Sequence, residues 1–441
     1  MITRARAVVV AVAAVSAVAP SSVSAQSNRG LSPLARETRA SLPPALTLAE
    51  ALRLAEAREP GLRATRAQAA GAHATASGAK SGLYPRVVGS ATYQIASDPT
   101  PSAIGTEASD VLRGSLSASQ LLWDFGRVGG RADAAAASAD AADATARQSV
   151  VDVRLDVRAR YVAVVAARAQ LAVAKETLAN EARHMEQIQA FVDVGQRPAI
   201  DLAQVKTTLA TARLAAIRAE NAVDTGLAEL ARAIGLDAPP TAIVDEWLAA
   251  VPGEDGEQGA LLGDALRLRA DLQALGHQRR AEESSLEAAR AGYFPTLSLQ
   301  AGADAYALTD LRSTLGWSVG LNLSWPLFEG FATPADVRGS RAALVAIDAR
   351  VEGARQDVSL ALERSRLAVR GAKAALGAAD EAVTAARERY RLAEGRYAEG
   401  VGTIIELTDA QVGVTTVSSQ HIQAELDLAS ARAQLLNLLG E

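Results

Sequence analysis

The chain has no cysteine among its 441 residues. Disulfides, thiolate metal sites and thiol nucleophiles are excluded, and so is the acylated N-terminal cysteine of a bacterial lipoprotein. Aromatic residues make up only 4 % of the chain, and prolines number 15. With abundant alanine, that scarcity favours long, closely packed helices over a mixed enzyme core. No apolar run is long enough for a membrane-spanning helix. Lysine and arginine total 45 against 50 acids, and no basic patch stands out, so nucleic acid is not expected as a partner. The histidines His73, His184, His277 and His421 are scattered without metal-ligand spacing. No Ser/His/Asp arrangement sits on recognisable elements, and the Gly-rich run 125–130 lacks the dinucleotide-binding pattern and reads as a hinge. Catalysis, a metal and a cofactor are therefore not expected.

At the start, Arg4 and Arg6 precede an apolar stretch at 7–19, and Val23-Ser24-Ala25 supplies small residues for cleavage. This reads as a secretory signal over 1–25. Without its two arginines the remaining chain carries a formal charge of −7. An extended segment is expected over 26–46.

The rest of the chain says nearly the same thing twice. At an offset of 205 residues, Gly195 falls on Gly400, Asp201 on Glu406, Leu202 on Leu407, Leu230 on Leu435 and Gly235 on Gly440. Further upstream the offset is 210, which places Leu62, Tyr84 and Pro85 on Leu272, Phe294 and Pro295. Such a duplication implies two equivalent units, neither of which need bury its own core alone. Repeat 1 is expected over 47–236, a linker over 237–262 and repeat 2 over 263–441. Each repeat should run helix, strand, strand, very long helix, turn, medium helix. The first helix is expected from the capping box Thr47-Leu48-Ala49-Glu50 on toward Lys80.

The strands alternate. Leu315, Trp317, Val319, Leu321, Leu323 and Trp325 share one face, and Gly316, Ser318, Gly320, Asn322 and Ser324 share the other. Leu297, Leu299, Ala301 and Ala303 alternate with Thr296, Ser298 and Gln300, and Leu112, Leu116 and Ala118 with Ser115, Ser117 and Ser119. This pattern fits a sheet on a soluble core, and equally a barrel wall with lipid outside and water inside. The helices tip the balance. From 127 to 194 there is no proline, enough for a helix of roughly 100 Å. Apolar residues step by seven at Val150, Val157, Val164, Leu171, Leu178, Met185 and Val192, and again at Leu362, Val369, Leu376, Val383, Tyr390 and Tyr397. That period implies coiled-coil packing. Four membrane-length strands cannot close a barrel, and lipid does not tolerate an open edge, so copies of the chain must pool their strands.

Several segments together resemble the TolC-like outer-membrane efflux proteins. They are the duplication, the strand openings Leu83-Tyr84-Pro85 and Tyr293-Phe294-Pro295, the run Trp325-Pro326-Leu327-Phe328-Glu329-Gly330, and the tip Arg396-Tyr397-Ala398-Glu399-Gly400 with Glu406-Leu407-Thr408-Asp409-Ala410-Gln411. The resemblance covers essentially the whole chain after the signal. It implies a mainly α fold with a β membrane part: a homotrimer whose 12 strands form one barrel in outer-membrane lipid, continued by a helical coiled-coil barrel into the periplasm. It also implies a passive exit duct for small molecules or polypeptides in a tripartite efflux or type I secretion system. A periplasmic adaptor (membrane fusion) protein and an inner-membrane pump would dock at the helix-hairpin tips, Gly195, Arg197, Gly400 and Gly402. By position, Glu406 and Asp409 match the acidic gate ring, Asp201 and Gln204 are their first-repeat equivalents, and Tyr397 matches the tether. The family's basic tether partner falls on Gly402, so the gate would be held closed by Arg197 or by packing alone. Capping is a second role for Glu406 and heptad packing a second role for Tyr397, while Gly195 and Gly400 read as left-handed helix caps. The alternative to a channel is a soluble periplasmic coiled-coil adaptor or scaffold.

Overall fold

The computed structural model describes residues 45–97, 108–256, 258–308 and 313–441. The expected signal and all but the last residues of the segment after it lie outside them. Repeat 1 comprises helices α1 (Leu48–Arg58) and α2 (Pro60–Ala79), strands β1 (Arg86–Ser97) and β2 (Ala108–Trp123), and helices α3 (Arg127–Asp193) and α4 (Ala199–Ile234). Repeat 2 comprises α5 (Gln258–Leu268), which begins inside the span 237–262 expected as linker, then α6 (Ala270–Arg290), β3 (Thr296–Leu308), β4 (Ser313–Ser324), α7 (Ala332–Ala398) and α8 (Ile404–Leu439). The long helices are both 67 residues, roughly 100 Å, and the returning helices both 36 residues. Against the expected period, Val157 and Leu362 are fully buried at equivalent places, as are Val164 and Val369 one heptad on.

The first helix departs from expectation. The capping box at Thr47 and Glu50 forms in both directions, but the helix does not continue to Lys80. Pro60 lacks an amide hydrogen, and its ring pushes the preceding Glu59 out of helical geometry, to ψ 123°. Pro60 instead occupies the first turn of α2, whose Leu62 amide donates to the Glu59 carboxylate at 2.6 Å. Repeat 2 breaks at the matching place, Arg269. Each break meets the end of a returning helix. A Cβ on Gly235, the left-handed cap of α4, would lie 2.8 Å from the Arg58 carbonyl, and one on Gly440 would lie 3.7 Å from that of Leu268. Thus α2 and α6 cover the long helices where α4 and α8 stop.

The two hairpins merge into one antiparallel sheet of order β1-β2-β3-β4. Strands β2 and β3 pair from Val111 with Leu308 to Trp123 with Leu297, with a bulge between Leu121 and Trp123. In this register Ser90, Ser115 and Asp304 share one face, as do Val88, Ser117, Gly302 and Ser318 in the next row. The other face carries Leu116, Ala301, Ala303 and the β4 residues Leu315 to Leu323. Leu315 and Trp317 are 76 % and 79 % exposed, so among the described residues no helix covers this apolar face. Strands β1 and β4 each offer an unpaired outer edge. Aromatics gather at one end of the sheet: Phe125 stacks on Phe294 at 4.7 Å, Trp123 meets Phe125 edge-on, and the Trp325 indole donates to the Tyr293 carbonyl at 3.2 Å. At the same end the chain turns into the long helices through paired left-handed residues, Phe125-Gly126 and Gly330-Phe331. Buried Asp124 caps α3 there, accepting from the Gly126 and Val128 amides.

Between the repeats, residues 237–256 carry no helix or regular strand, yet they are built into the core. Ile243 bridges in parallel to Leu46, and Ile243, Leu248 and Val251 are buried. Glu254, also buried, accepts from the Val251 amide, from Arg432 of α8 at 3.0 Å and from Lys373 of α7 at 2.6 Å. Burial alone would raise its carboxyl pKa, but the hydrogen bonds from Arg432, Lys373 and Val251 outweigh it and hold the value at about 2. A folded pKa below the unfolded one gives stability that is complete above about pH 4.5 and lost as pH falls toward about 2, on the order of 3 kcal/mol per chain. Urea titrations at pH 7 and pH 3 should show wild type losing about 2 kcal/mol of this increment, and Glu254→Gln losing correspondingly less; equal acid sensitivity of the two would contradict the assignment.

A second expectation follows from the sheet faces. Val319→Arg places a charge midway along the apolar face and should lower the yield of heat-resistant oligomer in membranes, since such a charge costs ~2–4 kcal/mol at a bilayer midplane. Ser318→Arg, on the opposite face, should assemble like wild type in the same gel assay.

Candidate gate at the helical tips

Each long helix ends in a tight reversal whose backbone is set by one glycine. Gly195 and Gly400 adopt φ of 73° and 78°, the left-handed region, with open space where a Cβ would stand. The following amides fold back on the helix ends, Gln196 to the Phe191 carbonyl and Val401 to that of Arg396, both near 3 Å. These are Schellman-type stops. Gly402 is constrained differently. Its amide also reaches the Arg396 carbonyl, and a Cβ there would lie 2.9 Å from the Tyr397 nitrogen and 3.0 Å from the Arg396 carbonyl carbon. No side chain, basic or otherwise, fits at this position without moving the turn.

The two tips pack on each other within one chain. Ile188 and Val205 of the first hairpin bury against Ala393, Tyr397, Leu407 and Ala410 of the second. Tyr397 is 5 % exposed, on the heptad seam, and its hydroxyl has no hydrogen-bond partner among the described residues. Burial is the main cause of its raised pKa; nearby Arg197 works to lower it and Asp201 to raise it. The Arg197 guanidinium lies over the Tyr397 ring at 5.1 Å from its centroid. Arg197 therefore bridges from the first tip to the second through a cation–π contact, which carries charge onto an aromatic face without a carboxylate partner.

The acids separate into two kinds. Glu406 stands in the first turn of α8, where its amide donates to the Thr403 hydroxyl at 3.2 Å. The reciprocal half of the expected capping box is missing, because the Glu406 carboxylate pairs with Arg396 of α7 at 3.2 Å. Asp409, one turn further on, is exposed and has no side-chain partner among the described residues. In the first repeat, Asp201 lies in the opening turn of α4, near Tyr397, while Gln204 is exposed and apart. The structure thus joins Tyr397, Arg197 and Asp201 in one cluster and Glu406 with Arg396 in another, and leaves Asp409 and Gln204 free. Sequence reading missed Arg396 as the partner of Glu406. The two are 10 residues apart across a turn, so only the closure of the reversal brings them together.

Comparison with known proteins places the whole chain in a family. The family described as "Outer membrane efflux protein" matches residues 51–236 and 261–441, one span in each repeat. Protein CyaE of Bordetella pertussis is 29 % identical over 408 residues, covering 90 % of this chain and 84 % of that protein. The toluene efflux pump outer membrane protein TtgF of Pseudomonas putida is 27 % identical over 377 residues, covering 82 % and 76 %. Among solved structures, a membrane protein from Pseudomonas aeruginosa superposes with a TM-score of 0.78 at 22 % identity, covering 89 % of this chain and 92 % of that one, which shows a shared fold. With both repeats matched and the barrel-plus-helix fold in common, the chain belongs to the outer membrane efflux protein family, the trimeric outer-membrane channels of tripartite export systems.

Proposed function

We propose that this channel is gated at its hairpin tips, and that the tips are also where its adaptor protein and inner-membrane pump engage it. The carrying observation is the placement of acids at the start of both returning helices, beside the reversals at Gly195 and Gly400, at the end of the molecule farthest from the sheet. In a trimer these ends converge, and three copies of Glu406 and Asp409 surround a narrow lumen. Low-dielectric helix walls focus the field of such a ring, attracting cations and excluding anions. Asp201 adds a first-repeat acid, and Gln204 a neutral acceptor.

The pairing of Glu406 with Arg396 assigns unequal weight to the two second-repeat acids. Its charge is offset locally, whereas that of Asp409 is not, so Asp409 carries most of the field. Mutual repulsion within the ring is opposed by the apolar tip cluster and by Arg197 on the Tyr397 ring. Gly402 contributes no tether. The exposed residues Ile200 and Ile405, at equivalent places in the two tips, offer the apolar part of an adaptor-docking surface around Arg197 and Gly402. The chain supplies no energy source in this reading; export is driven by the pump, and the duct is passive.

In single-channel recordings, Asp409→Ala should lower cation selectivity and divalent-cation block clearly more than Glu406→Ala does. An Asp409→Ala channel with unchanged selectivity would remove these acids from the pore. Arg197→Ala should loosen the tip and raise open probability, by an amount consistent with losing a contact of ~0.5–2 kcal/mol. Gly402→Arg should disorder the second tip, read as faster protease cleavage near residue 400 in an otherwise assembled trimer.

A further inference from the structure

The segment between the repeats is gripped by the two long helices at equivalent positions. Tyr161 of α3 and Arg366 of α7 correspond at the 205-residue offset, as do Arg168 and Lys373. Each pair is one heptad apart on its helix. Tyr161, fully buried, donates its hydroxyl to the Val244 carbonyl at 2.7 Å and to that of Leu46 at 3.1 Å. Arg168 donates to the Ile243 carbonyl at 2.8 Å and pairs with Asp245 at 2.9 Å. In the other repeat, Arg366 donates to the Gly256 carbonyl at 2.8 Å, and Lys373 reaches Glu254 at 2.6 Å and Asp255 at 2.7 Å. Arg432 of α8 adds a third hold on the second end, through the Leu248 carbonyl at 3.0 Å and Glu254. One short stretch of chain is therefore fastened at its start to the α3–α4 hairpin and at its end to the α7–α8 hairpin.

Below this level, toward the tips, the hairpins meet through polar contacts, Gln170 with Ser419 and Thr177 with Thr415, and then through the tip cluster. From Arg168 to the end of α3 and from Lys373 to the end of α7 is 25 residues in each case, two lever arms of about 38 Å. A turn of about 10° at the grips would move each tip by about 7 Å on such an arm. The two grips differ in kind. The first rests mainly on backbone carbonyls. The second rests on one buried carboxylate, Glu254, shared between two helices, and losing a buried ion's partner is far more disruptive than losing a surface pair.

We infer that residues 243–256 are a strap acting as a fulcrum, and that its Glu254 grip limits how far the α7–α8 hairpin swings when the tips open. The inference rests on the tip-gate reading above, since a fulcrum affects conduction only if the tips are the constriction. Releasing the second grip frees one hairpin and leaves the other fastened, so opening becomes wider without loss of the fold.

The test uses the full-length trimer in planar lipid bilayers. Glu254→Gln should raise the mean open-state conductance at least about twofold, as expected when a hinge stop is removed, while Asp264→Asn, which alters a surface ion pair on α5, should match wild type. The absence of native cysteine allows a second form, Asp255→Cys with Lys373→Cys, in which the grip is open until a short bismaleimide bridges it. Bridging should bring the conductance of that single preparation down by a similar factor, and this arm decides the matter if Glu254→Gln fails to assemble. Conductance indifferent to bridging, or a folded Glu254→Gln trimer with wild-type conductance, would overturn the strap. Asp409→Ala separates the two readings: lowered selectivity together with an inert strap retains the tip gate and rejects the fulcrum, whereas unchanged selectivity rejects the gate on which the fulcrum depends.

Discussion

Unpaired backbone amides and carbonyls have no partner in hydrocarbon, so a sheet that spans a bilayer must close on itself. This chain makes a sheet with an apolar outer face and two free edges, β1 and β4. Alone it would leave two rows of polar groups in lipid. Threefold pooling turns each free edge into a paired one and generates a single barrel, and the remaining architecture depends on that closure. The helices leave the sheet at one end, through the two left-handed turns at 125–126 and 330–331. Every strand pair therefore feeds a long helix in the same direction, and a ring of strands becomes a ring of helices.

Duplication makes this possible with one chain. The two repeats place the same residue types at the same heights: fully buried Val157 and Leu362, left-handed Gly235 and Gly440, and helix breaks at Glu59 and Arg269. The copies are not identical where the repeats have different work. The equatorial holds have diverged from a tyrosine and an arginine on carbonyls to an arginine and a lysine on carbonyl and carboxylates. The tips have diverged as well. Arg197 in the first faces an aromatic ring of the second, and Gly402 in the second is sterically barred from carrying any side chain.

The tips also show how packing and charge divide the labour. Apolar contacts from Ile188 to Ala410 hold the hairpins together inside one chain through burial rather than charge pairing. The acids are solvated or paired with neighbours: Asp409 is exposed, and Glu406 pairs with Arg396.

Much of this was legible in the residues. The seven-residue steps, the alternation of Leu315 to Trp325, the offset of 205 and the glycine-ended helices are local patterns. They set the long helices, the two-faced strands and the order of elements, because helix and strand periods act on near neighbours. The break in the first helix is not among them, since the sequence reading runs that helix unbroken toward Lys80. Pro60 stands at the break, but the matching break at Arg269 precedes an alanine, so the end of the returning helix marks the place as much as the local residues do. Only the tertiary structure decided which distant groups meet. Glu406 turns to Arg396 instead of completing its cap, Tyr397 lies beneath Arg197 with its hydroxyl unpaired, and Glu254 gathers Lys373 and Arg432 from two helices more than a hundred residues downstream. These contacts depend on how the hairpins close in space. A charge in a proline- and glycine-rich connection carries no local sign of its burial, so its partners and its depressed pKa follow from the fold alone.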